Sequence, residues 1–142
     1  MSRHWLFATD PAIYHWDTLF VKGKEMWNHV RSDAALRHFK HVRRGDTVLC
    51  YHGPPERSIY AQAVVASDPY PDPYARGKNH LAVDLKAVQR LPRVVTVKEM
   101  KANRLLKRMK FLARPRVAVA PVTEHEYNEV LRVAGVSLGP FR

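Results

Sequence analysis

The sequence predicts an α+β chain built on a small mixed β-barrel or strongly curved sheet, and three observations carry that expectation. Five short β-prone segments, punctuated by Gly and Pro, lie too close together for regular crossover helices. Two hydroxyl–carboxylate pairs spaced three apart, Thr96 with Glu99 and Thr123 with Glu126, are capping boxes that open late helices. At 142 residues, 46% hydrophobic and 26% charged, the chain has the size and composition of one domain over 1–142, with no internal repeat.

Taken in order, His4 to Ala8 alternates as a strand, with Trp5 and Phe7 on one face and Leu6 on the other. Thr9-Asp10-Pro11 is a helix-start signal, predicting a short helix over about 12–20 that buries Ile13, Trp16 and Phe20. Gly23 ends it, and the Trp27 segment follows as a loop. Ser32 caps a second helix from Asp33 to about Val42, with Leu36 and Phe39 inward. After the Gly45-Asp46 turn, Thr47 to Tyr51 and Ile59 to Ser67 read as strands, the alanines of the second implying close packing. Three prolines in 68–74 demand an extended loop that presents Tyr70 and Tyr74. His80 to Val88 alternates as a strand that Leu91-Pro92 closes. Helices follow over about 97–109 and 124–134, with a last strand from Arg116 to Ala120 between them and Gly135 as the final stop.

Charge is the outlying property. Lys and Arg total 24 against 13 Asp and Glu, a net +11, which points to a polyanionic partner, nucleic acid ahead of an anionic membrane. The single Cys50 excludes an internal disulfide framework and fits a reducing compartment. No signal-like start and no apolar run of about 18 residues is present, so the expectation is a cytoplasmic protein, nucleoid-associated or nuclear, with no membrane contact.

Enzymatic patterns are thin. There is no Gly-rich phosphate loop, no paired-Cys zinc pattern and no HExxH. His38 and His41 lack a nearby third metal ligand, Cys50 reads as a buried small residue, and Asp46 with Asp84 would pair only by tertiary accident. The expectation is therefore a non-enzyme without metal or cofactor. Binding chemistry is richer. Met26-Trp27-Asn28-His29-Val30-Arg31 combines an indole, an amide and a guanidinium, the groups that hold one unstacked nucleobase. Trp27 reads equally as core beneath a loop. Tyr51, Tyr70 and Tyr74 add aromatic faces near strand ends. Arg31, Arg37, Lys40, Arg43, Arg44, Arg57, Arg76 and Lys78 surround them as backbone-binding cations.

These pieces together resemble an EVE domain, the small fold of the thymocyte nuclear protein type, related to PUA and YTH modules. The resemblance runs through His4-Trp5-Leu6-Phe7 with Asp10-Pro11, Tyr14-His15-Trp16-Asp17-Thr18-Leu19, the Met26–Arg31 run, Ala35-Leu36-Arg37-His38-Phe39, Gly45 to His52, Tyr70-Pro71-Asp72-Pro73 and Arg116 to Thr123. It implies a PUA-like mixed β-barrel of about five to six strands with helices packed outside. It also implies a pocket for a modified or flipped base in DNA or RNA, bound by a monomer or weak dimer. On that footing Trp27 is the stacking wall, Asn28 and Arg31 lie in its loop, Thr9 and Asp10 read the base edge, and Tyr51 and His52 form a rim. Ala8, Ser32 and Asp33 depart from the family's usual polar set and put the choice of base in doubt. The rival expectations are a general RNA-binding module indifferent to modification, a nucleoside sensor, and an enzyme on modified nucleotides.

Overall fold

The computed structural model describes residues 3–30, 32–75 and 80–137. Within them run β1 (His4–Thr9), α1 (Asp17–Lys22), β2 (Lys24–Trp27), α2 (Asp33–Phe39), β3 (Thr47–His52), β4 (Ser58–Val65), β5 (Tyr70–Pro71), β6 (Leu81–Thr96), α3 (Val97–Ala102), α4 (Lys110–Ala113), β7 (Val119–Val122) and α5 (Glu124–Val133). The chain is α+β, as expected. Its mixed sheet has the hydrogen-bonded order β2-β6-β4-β3-β1-β7, with β5 also on β6. β1 and β3 are parallel, from His4 opposite Thr47 to Thr9 opposite His52, and the other pairs are antiparallel.

The sheet curls until its first strand meets its far side. Trp27 on β2 stacks on Phe7 of β1, ring centroids 4.5 Å apart, although three strands separate β2 from β1 in the sheet. The inside of this curl is an aromatic and aliphatic core of Trp5, Phe7, Trp27, Phe39, Val48 and Val83, with Ala61 and Ala63 giving the close packing their size predicts. The outer face is buried as well. Leu6, Leu49, Tyr51 and Ile59 lie under the C-terminal segments through Met100, Phe111, Tyr127 and Val130. Strands covered on both sides explain the nearly unbroken apolar runs of β1 and β3.

The capped helices form where their sequences indicate. Ser32 accepts from the Ala35 amide at 3.1 Å, and both capping boxes are complete. Gly135, at φ +83°, ends α5 in the left-handed conformation that Gly adopts freely. Asn103 donates to Glu129 Oε2 at 2.7 Å and ties the turn after α3 to α5.

Several expectations need correction. No helix begins at residue 12. Asp10 instead builds a tight turn, its carboxylate accepting from the Ala12 amide and its carbonyl from Ile13 and Tyr14, each at 2.9 Å. That turn leaves Ile13 76% exposed, while Trp16 is buried. Trp27 ends a strand rather than occupying a loop, because β6 supplies the ladder that four residues alone cannot stabilise. Pro92 does not stop β6, which bends through it: the β4 register jumps from Ala61–Arg90 to Ile59–Val95, leaving the proline in the irregular gap without a ladder role. Tyr70-Pro71 forms a two-residue edge strand within the expected loop. The 97–109 helix is shorter, ending at Ala102 with a turn before α4. The last strand shifts to 119–122 and contains Pro121, tolerated because β7 is an end strand.

Removing the ring that closes the curl should be costly. Phe7→Ala is expected to destabilise the fold by about 3–5 kcal/mol, read as a lowered urea midpoint with an unchanged m value.

Candidate functional site

The parallel pair β1 and β3 ends side by side at Thr9 and His52, and the chain leaving β1 must turn over these ends. Gly53 N donates to Thr9 O at 2.8 Å, joining the two exits. His52 is 1% exposed, and its Nε2 accepts from the Trp16 amide at 3.0 Å. Trp16 Nε1 donates to Tyr51 O, also at 3.0 Å. His15 Nδ1 accepts from Asp17 N at 3.0 Å, which is why α1 begins at Asp17 and not earlier. The Asp10–Trp16 connection is thus clamped at both ends.

Beneath this connection lies a cavity of about 340 Å³ lined by Ala8, Thr9, Asp10, Ile13, Tyr14 and His29. The Tyr14 and His29 rings are 4.9 Å apart, tilted by 39°. Tyr14 donates its hydroxyl to Glu25 Oε1 at 2.8 Å, and burial together with that carboxylate pushes its pKa up, so the proton stays on. Among the described residues, two buried polar atoms in this region have no hydrogen-bond partner: Thr9 Oγ1 and Trp27 Nε1. Thr9 belongs to the cavity wall. The Trp27 ring sits 5.7 Å from that of His29, another wall residue.

The expected site residues separate into several groups. Thr9 and Asp10 line the cavity. Trp27, 1% exposed, stacks on Phe7 at 4.5 Å and on Trp16 at 6.0 Å, so it is core beside the cavity and leaves no open face for a base. Asn28 donates to Asp72 Oδ2 at 2.9 Å, fastening β2 to the 68–75 segment. Tyr51 is no rim residue: strand alternation sends it to the outer face, where it packs on Phe111 at 4.4 Å. His52 is consumed by the Trp16 clamp. Tyr70 donates to Asp84 Oδ1 at 2.7 Å at the sheet edge, and Tyr74 is exposed; neither lines the cavity. Asp84 therefore serves Tyr70, while the buried Asp46 accepts from Trp5 Nε1, and the two carboxylates do not pair with each other. Arg31, Arg76 and Lys78 lie outside the described residues.

The cations do not form one patch. Arg37 and Lys40 share a groove beside Leu81, whereas Arg57 borders a different one with Lys98 and Lys101. Arg43 turns its guanidinium back onto the Lys40 and Val42 carbonyls, and the Arg44 amide donates to Asp68. Sequence reasoning missed Tyr14 and His29 because it placed the first in a helix and ranked the second below its neighbour Trp27. Cys50 is buried, and burial pushes its thiol pKa up. No helix is long and apolar enough to cross a membrane among the described residues.

The sequence profile of the EVE domain matches residues 3–133. Protein Atu2648 from Agrobacterium tumefaciens is 32% identical, with a TM-score of 0.91 over 98% of this chain and 97% of that one. Rpa0253 from Rhodopseudomonas palustris is also 32% identical, with a TM-score of 0.86 over 94% and 93%. Human THYN1, solved in complex with DNA containing 5-methylcytosine, shares the fold at 20% identity and a TM-score of 0.84, over 96% and 99%. No curated protein matches the chain.

Burial, with a smaller push from His15, drives the His52 pKa down from 6.5 to about 4, against the pull of Glu56 and Asp17. The unfolded chain therefore binds the extra proton first, and stability contributed by neutral His52 is lost as pH falls from about 6.5 towards 4. His52→Gln keeps a side-chain acceptor but cannot titrate. Thermal melts of this variant should fall less steeply across that window than those of the parent.

Proposed function

This chain belongs to the EVE domain family, and we propose that it is a non-enzymatic nucleic-acid-binding module that takes one extruded or modified nucleobase into the cavity at the end of β1. The observation that carries this reading is the orphaned Thr9 hydroxyl in the cavity wall. An unpaired polar group in a protein interior costs about 1–3 kcal/mol, so a buried Thr9 hydroxyl without a partner among the described residues, set in the cavity wall, points to a ligand edge that completes it. Tyr14 and His29 add flat rings of the kind on which bases stack. Asp10 supplies a carboxylate at the wall and can accept from an exocyclic amine.

The human relative's complex with 5-methylcytosine DNA supports a nucleic-acid partner carrying a modified base. This chain's own selectivity then rests on Thr9 and Asp10, because Ala8 brings no charge to the wall. Two features favour binding over catalysis: the one thiol is sealed in the core, and the Asp46 carboxylate is engaged by the Trp5 indole.

Thr9→Val is nearly isosteric and removes an unsatisfied hydroxyl. Thermal stability is expected to stay level or rise, while affinity for the preferred modified oligonucleotide falls about tenfold, the loss of one hydrogen bond of about 1.4 kcal/mol. Fluorescence titrations against an array of modified and plain oligonucleotides, in both sugar types, provide the measurement. Equal affinity of parent and variant would remove Thr9 from the site. Indifference of the parent to every modification would return the protein to a general RNA- or DNA-binding role.

A further inference from the structure

A second cavity, of about 430 Å³, lies against β7, between α2 and α4. Its walls carry Arg37 and His38 from α2, Lys110 from α4 and Arg114 just beyond it, and its floor is the edge strand β7 with Pro121. No carboxylate lines it. Among the described residues, none of Arg37, Lys110 or Arg114 has an ion-pair partner. The crowding is felt locally: burial lowers the His38 pKa, and the charges of Lys110, Arg37 and His41 lower it further. Like charges gathered in a concave site focus a positive potential, and an anion relieves the repulsion.

Position adds to charge. Ala8 lines the base cavity and donates its amide to Ala118 O at 2.8 Å. The residues on either side of Ala118, Val117 and Val119, line the basic groove. The two cavities are therefore separated by one pair of strands. A nucleic-acid strand that delivers a base to the first cavity needs a cationic path leading from its mouth.

We infer that the α2–α4 groove is a phosphate-binding track, taking the phosphodiester backbone of the strand whose base enters the neighbouring cavity. The inference rests on the base-pocket reading for its partner, but the groove's ligand chemistry, a run of phosphodiesters, stands on its own residues. A peptide adding a strand to β7 is the poorer occupant, because that edge is four residues long and Pro121 has no amide to donate.

Lys110 and Arg114 are exposed, so Lys110→Gln/Arg114→Gln leaves the core intact, which a urea midpoint checks. The assay follows binding of a plain fluorescein-labelled 12-base-pair DNA duplex to the full chain as salt is raised. Each lost phosphate contact lowers the slope of log K against log salt by about 0.9, so the double variant should lose about two units. The slope is read on plain DNA, so its fall in the double variant stands whether or not the parent prefers a modified base, and this separates failure of the groove from failure of the pocket. An unchanged slope in the double variant overturns the inference. So does an equal fall in Lys98→Gln/Lys101→Gln, which would trace the effect to overall charge. Oligo-glutamate of matching charge binding as tightly as the duplex would assign the groove to an acidic protein instead, and also overturns it.

Discussion

The stack of Phe7, Trp27 and Trp16 is the constraint on which the molecule depends. Trp27 stands on the end strand β2, Phe7 on β1 and Trp16 on the connection above the strand ends, so one indole joins three segments that the backbone ladder does not join. Ring pairs of this kind contribute about 0.5–1.5 kcal/mol beyond the area they bury. The larger effect is geometric. Holding β2 against β1 forces the sheet to curl, and the curl creates both an interior core and an end at which β1 and β3 open together. Trp16 then carries the same rigidity outwards, because its amide and its indole N–H are fixed on His52 and Tyr51.

A sheet covered on both faces has little room for a site on either face. Helices pack over the outer side and aromatic side chains fill the inner side. What remains is the strand ends, the connections above them and the edge. The cavity at the end of β1 occupies the first of these places and the basic groove along β7 the last. Closeness of the two cavities is thus a consequence of topology: β7 pairs with β1, the strand whose exit builds the first cavity.

How far this was legible in the sequence depended on the range of the interactions. Helices α2, α3 and α5 were readable because their caps are contacts three residues apart. β1 and β3 were readable because their apolar runs reflect burial on both faces. β2 was not, since Lys24-Glu25-Met26-Trp27 gains its strand character from Lys86 to Val83 on the partner strand. Asp10-Pro11 looks like a helix start, yet the distant His52 holds the Trp16 amide and delays the helix by several residues. At the site, the family resemblance pointed to Thr9 and Asp10, and both line the cavity. Tyr51 was misplaced although the information was present: with Cys50 inside the curl, alternation turns Tyr51 outward. Trp27 stands in the core beside the cavity, and no local pattern reveals that Phe7 and Trp16 already stack on it.

The charge surplus has a structural origin as well as a compositional one. Many carboxylates are engaged within the fold: Asp10 in its turn, Asp17 with Tyr60 and Arg90, Asp46 with Trp5, Asp72 with Asn28, Asp84 with Tyr70, and Glu99 and Glu126 in capping boxes. Acids tied to amides and hydroxyls do little to neutralise lysines and arginines elsewhere on the surface. The net +11 leaves more cations than carboxylates to pair with, and the field of a surface charge falls off within about a Debye length of 8–10 Å. Such charges attract any phosphate chain and tell one sequence from another poorly. Unpartnered buried atoms behave oppositely: they exert no pull at a distance, but reject a base edge that cannot complete them. On the function proposed above, a fold that sets the two kinds of group on neighbouring strands separates holding a nucleic acid from choosing a base within it.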